Sequence, residues 1–191
     1  RDTFPRLIFV AVGFTLGWHA TIFIVMSWLF ALLTFLALLK LMPVGLGRHS
    51  LVFPWITLLV GGLLFSSTQW QNWLWATQMM QFVPPCCLAL CLLLQTSQRR
   101  SMGFKIIVCA MLNVLATFSP PNGMLIWVLA FPFLLIPFTR WRTVAKEQRT
   151  KILKWISVYL GLAILTIGFY FWDYKKPGDS PPLDFVLDDP G

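Results

Sequence analysis

Residues 20–41 read ATIFIVMSWLFALLTFLALLKL, an apolar run whose one charge, Lys40, stands at its end. A helix that crosses a bilayer needs about 20 such residues. The run is apolar on every helical face, so no single stripe of it is marked for a soluble core. The rest of the chain agrees with this reading. Over 191 residues, 58% are hydrophobic and 12% charged, with a mean hydropathy of +0.74. Soluble domains carry roughly 45–50% apolar and about 25% charged residues. Ten Trp and 17 Phe suit a protein that meets lipid and its headgroup layer.

Working outward, five more segments read as membrane helices: 51–65, 77–94, 104–118, 123–138 and 155–172. The stretch before the first span, Phe4–Gly17, is apolar for three to four helical turns. It is too short to cross, and Gly17-Trp18-His19 reads as a break. Its length puts it with interfacial or re-entrant helices. The expected fold is therefore all-α: a polytopic transmembrane helix bundle of about six spans plus an interfacial N-terminal helix. Residues 1–172 form its membrane domain and 173–191 a polar acidic tail.

Charge orients the bundle. Lys40 and Arg48 flank the first connection, Arg99, Arg100 and Lys105 the third. The fifth carries Arg140, Arg142, Lys146, Arg149, Lys151 and Lys154 against Glu147 alone. The connections between them, 66–76 and 119–122, carry no charge, and the remaining acids lie near the termini. Basic loops stay in the cytoplasm, so both ends of the chain are expected outside a bacterial inner membrane. The net charge of +8 is then a topology signal. Basic residues scattered over three short loops do not make a nucleic-acid surface.

Two outer features are polar without being charged. The stretch 66–82, SSTQWQNWLWATQMMQF, mixes Trp70, Trp73 and Trp75 with carboxamides. Indoles suit the headgroup level. Gln71, Gln78 and Gln81 fall near one helical face and line an outer cavity or bond to neighbouring helices. The second feature is FSPPNGMLIW, 118–127. There Pro120 and Pro121 stop a helix and Asn122-Gly123 turns the chain. The next helix then presents its N-terminal N–H groups outward, an arrangement suited to phosphate and equally ordinary in a tight turn.

Other chemistry is sparse. Cys86, Cys87, Cys91 and Cys109 lie in apolar runs with no His or carboxylate beside them, and read as small buried hydrophobes. No metal motif, P-loop or Ser-His-Asp pattern occurs. No ionisable residue sits mid-span, which argues against an ion-coupled transporter. The start RDTFPRL has neither Met nor a signal-peptide pattern, and the chain is expected to be the interior of a longer protein.

FPRLIFVAVGFTLGWHATIF, 4–23, resembles the segment that follows the catalytic outer loop in lipid-dependent GT-C glycosyltransferases. There a proline-led apolar helix, a glycine break and a span occur in that order, matched here by Pro5, Gly17 and the run from Ala20. SSTQWQNWLWATQMMQF and LATFSPPNGMLIW resemble stretches of bacterial membrane proteins with that architecture. The resemblance reaches to about Phe138. It implies sugar transfer from a polyprenyl-phosphate donor on the outer face, with a catalytic acid in a loop that would precede Arg1. Asp2 is the one acid near that place. Arg1 and Arg6 are candidates for the donor phosphate, whose oxygens a guanidinium fork fits, or are interfacial anchors. The substrate-binding candidates are thus Arg6, Gln71, Gln78, Gln81 and Asn122. A non-catalytic polytopic protein and a transporter or lipid flippase are the competing readings.

Overall fold

The computed structural model describes residues 3–46, 52–66, 78–97, 99–134 and 146–172. Among these the chain is helical, with no strand. The helices are α1 Thr3–Leu16, α2 Ala20–Leu46, α3 Val52–Leu64, α4 Met79–Thr96, α5 Met102–Thr117, α6 Leu125–Leu134 and α7 Lys146–Phe171. A 3-10 turn, Pro121–Met124, leads into α6. Three stretches are long and apolar enough to cross a bilayer: Ala20–Met42, Met79–Thr96 and Arg149–Phe171. The others are shorter. The 13 residues of α3 and the 16 of α5 rise about 20 and 24 Å against a hydrocarbon core of about 30 Å.

The break after α1 is where the sequence reading put it. Gly17 takes φ 83°, a conformation that side chains disfavour. The Trp18 indole lies over Gly13, where a Cβ would stand 2.6 Å from the ring. Phe9 and Phe23 meet across the break with ring centroids 4.2 Å apart. The sixth segment differs from expectation. It was expected to start at Trp155, with the basic stretch before it a separate short amphipathic helix along the inner leaflet, yet the chain is already helical at Lys146 and continues unbroken from there to Phe171. Lys, Glu, Gln and Arg are good helix formers, so α7 continues beyond its apolar part.

Side-chain contacts give each pair its direction. Thr57 reaches Met42 and Phe65 meets Phe35, so α2 and α3 are antiparallel. Ala31 packs with Phe82, and Thr34 hydrogen-bonds the Cys86 thiol, so α2 and α4 are parallel. Cys91 faces Cys109 and Gln95 reaches Lys105, so α4 and α5 are antiparallel. Gly103 meets Trp155, Asn113 meets Tyr159 and Phe118 meets Phe169, so α5 and α7 are parallel. The 3-10 turn and α6 pack on α5, and α6 also on α4. Lys40, Arg99, Arg100, Lys105, Lys151 and Lys154 therefore stand at one end, the basic end. The opposite end holds the α1–α2 break, the start of α4 and the 3-10 turn.

Burial is distributed as lipid requires. The buried face of α2 is Phe23, Ser27, Ala31, Thr34 and Ala37, mostly small residues at helical spacing. Small residues let backbones approach where no hydrophobic force drives association. Ser27 and Thr34 donate to the carbonyls of Phe23 and Phe30 at 3.1 and 2.7 Å, so neither hydroxyl is left unpaired. Buried on α7 are Ile152, Ile156, Tyr159, Ala163 and Tyr170, while Ile164, Leu165 and Phe169 are at least 70% exposed. In water such apolar surface would drive aggregation. In a bilayer it is the solvated face.

Candidate functional site

Ser101 caps α5, its hydroxyl accepting from the Phe104 N–H. The buried face that follows is Ile106, Cys109, Ala110, Asn113, Ala116 and Thr117. It carries a carboxamide, Asn113, into the middle of the bundle with no exposed surface. An unpartnered amide there costs several kcal/mol, so its partners decide the local architecture. Asn113 Nδ2 donates to Tyr159 Oη at 2.7 Å. Tyr159 Oη donates to the Trp127 carbonyl at 3.0 Å. Trp127 Nε1 donates to Thr117 Oγ1 at 3.0 Å, and Thr117 Oγ1 donates to the Asn113 carbonyl at 2.8 Å. The four bonds close a ring that ties α5, α6 and α7 together. The Trp127 and Tyr159 rings also pack, with centroids 5.0 Å apart.

The polar chain continues toward the basic end. The Cys91 thiol donates to Asn113 Oδ1 at 3.5 Å, and the Cys91 and Cys109 thiols each lie 3.8 Å from the other's carbonyl oxygen. Gln95 Nε2 donates to Cys109 Sγ at 3.7 Å, and Lys105 Nζ to the Gln95 carbonyl at 3.0 Å. Gln95 Oε1 is buried with no partner. From Lys105 to Thr117 this polar spine runs about 18 Å along α5. Apart from Gln95 Oε1, its donors and acceptors are spent on one another, an arrangement that stiffens a core and fixes its register. Among the described residues no group of three or more His, Cys, Asp or Glu forms a metal cluster. The four cysteines are free thiols and buried.

The opposite end holds three of the candidates named from sequence, Gln78, Gln81 and Asn122. Gln78 is half-buried at the cap of α4, and its side chain makes no cap hydrogen bond. Gln81 is exposed, beside a buried face of Met79, Phe82, Val83 and Cys86. It shares its outer face with exposed Pro85, one turn on. Asn122 is exposed in the 3-10 turn, where its carbonyl accepts from the Leu125 N–H. Gly123 is required there: a Cβ would collide with the Ala116 carbonyl, so the turn sits directly on the end of α5. Arg6 is exposed on α1. Gln71, the tryptophans 70, 73 and 75, Arg140, Arg142 and the acidic tail lie outside the described residues. Gln78 and Asn122 thus share one end of the bundle, while Gln81 faces away from its packed side.

Sequence reasoning missed the spine. Its signal was Asn113, a lone carboxamide in the middle of an apolar segment, which must find a partner. Its partner, Tyr159, lies 46 residues on. Compared with family models, with curated proteins and with solved structures, the chain matches none.

Proposed function

We propose that the chain is the membrane core of a glycosyltransferase that takes sugar from a polyprenyl-phosphate donor at the end opposite the basic one. The observation that carries this reading is the make-up of that end. It offers the uncharged carboxamides Gln78 and Asn122 at the end where α6 starts. Neutral donors bind sugar hydroxyls and phosphate oxygens without fixing a counter-charge in lipid. The order of α1, glycine break and α2 adds the resemblance to GT-C enzymes.

The parallel pairs α2–α4 and α5–α7 support six crossings, because α3 and α6 with their connections must each return the chain to the other end. Basic residues remain inside, which puts the carboxamide end outside a bacterial inner membrane and both ends of the chain with it. The competing reading, a non-catalytic bundle, draws on the polar spine, whose groups are largely satisfied internally.

Binding of a polyprenyl-phosphate sugar, measured beside thermal unfolding in detergent, separates the two. Under the glycosyltransferase reading, Gln78→Leu weakens lipid binding and leaves folding unharmed, since Leu suits lipid better than an amide. If Gln78 is packing, the same change lowers stability by about 0.6–2 kcal/mol and leaves binding unchanged. The second result would end the proposal.

A further inference from the structure

At the basic end, where α7 runs past the start of α5, the Trp155 indole lies against Gly103, so closely that a Cβ on Gly103 would overlap it. Lys151 stands one turn before Trp155 on the same helical face, and is exposed. It is therefore carried to the first turn of α5, next to Arg99 and Arg100, which are also exposed. Arg100 is held over the Phe104 ring, 5.2 Å from its centroid. The Met102 and Gly103 N–H groups belong to the first turn of α5 and have no acceptor within the helix. The one acidic residue among the described residues is Glu147. Deeper along the same crevice, Ile107 and Leu162 leave 49% and 37% of their surface exposed.

From this we propose that the crevice between the first turn of α5 and the Lys151–Trp155 stretch of α7 binds one anionic glycerophospholipid. Arg99, Arg100 and Lys151 hold its phosphodiester. Trp155 sits at glycerol depth, and an acyl chain lies along Ile107 and Leu162. Charge complementarity selects the occupant, because three cations against one acid, Glu147 a turn before Lys151, leave a net positive site that fits an anionic headgroup better than a zwitterionic one. The apolar floor selects a lipid over free phosphate. The site lies at the end away from Gln78 and Asn122 and does not depend on the sugar-transfer reading.

Native mass spectrometry of the detergent-purified protein tests it, with phosphatidylglycerol, phosphatidylcholine of the same acyl chains and soluble glycerol phosphate as probes. One phosphatidylglycerol should bind in preference to phosphatidylcholine, and glycerol phosphate should not bind. At about fivefold per charge, Arg99→Gln/Arg100→Gln/Lys151→Gln should weaken phosphatidylglycerol on the order of 100-fold. Lys40→Gln, at the same end but on α2, should leave it unchanged. Because only folded, detergent-released protein is counted, a misfolded triple variant does not mimic a loss of affinity. A milder pair, Arg99→Lys/Arg100→Lys, should keep most of the binding. Equal binding of the two lipids would overturn the proposal. So would undiminished phosphatidylglycerol binding by the triple variant, or an equal loss in Lys40→Gln.

Discussion

Removing one oxygen, in Tyr159→Phe, tests the ring that joins three helices. Tyr159 is 1% exposed, and phenylalanine fills the same volume. Two bonds are lost, the one from Asn113 Nδ2 at 2.7 Å and the one to the Trp127 carbonyl at 3.0 Å. The carbonyl has a second lone pair and stays within helix α6, so its loss costs little. Asn113 Nδ2 is left as a buried donor without this acceptor. Hydrogen bonds between membrane helices contribute about 0.6–2 kcal/mol, and an orphaned donor costs about 1–3 kcal/mol. The expected destabilisation is therefore about 1–3 kcal/mol. Asn113→Leu removes the donor, so Asn113→Leu/Tyr159→Phe should be no less stable than Asn113→Leu alone, with a coupling as large as the single-variant cost, about 1–3 kcal/mol. The assay is reversible unfolding in mixed micelles, with the four proteins of the cycle measured side by side. A Tyr159→Phe protein within about 0.3 kcal/mol of the parent, or a strictly additive double variant, would refute the idea that this ring holds α7 to α5.

Four further outcomes follow from the packing. Gly123→Ala should destabilise by about 1–3 kcal/mol or more, because its Cβ meets the Ala116 carbonyl. Gly62→Ala, with nothing within 4 Å, should be neutral or gain up to about 1 kcal/mol, read in the same unfolding assay. In folded protein in micelles N-ethylmaleimide should leave all four cysteines unmodified, and it should label them once the protein is unfolded, as mass spectrometry would report. With the native thiols protected, Arg100→Cys and Asn122→Cys should take an impermeant maleimide from opposite faces of the membrane. Labelling of both from one face would contradict the pairing directions of the helices.

Much of the fold was legible because lipid makes hydropathy a local property. The run from Ala20 and the break at Gly17-Trp18-His19 need no partner to be recognised, and both stand where expected. The stretch around Pro84 and Pro85 was rightly read through as helix. The two prolines sit in the second turn of α4 and withhold bonds only from Met80 and Gln81, close to its polar end. A helix over the basic stretch was expected, but that it joins the sixth span without a break was not legible. Hydropathy marks where hydrocarbon begins, whereas the helix is already formed at Lys146, where backbone bonding is favourable. The candidate site was legible only as composition. Gln78 and Asn122 could be named as unusual, but that Gln81 faces outward depends on which side of α4 meets its neighbours. The pairing of Asn113 with Tyr159 is a tertiary fact that no local pattern encodes.

The parallel pairing of α5 with α7 also sets an order of assembly. Helices α4 and α5 are a hairpin whose contacts, such as Cys91 with Cys109, can form as soon as Thr117 has been synthesised. Asn113 must wait for Tyr159, which at about 5–20 residues per second emerges roughly 2–9 s later. Until then its amide faces lipid or the insertion machinery without its main partner. A chain stalled before α7 therefore displays a buried-type amide to the bilayer, a mark by which membrane quality control can tell unfinished copies from finished ones.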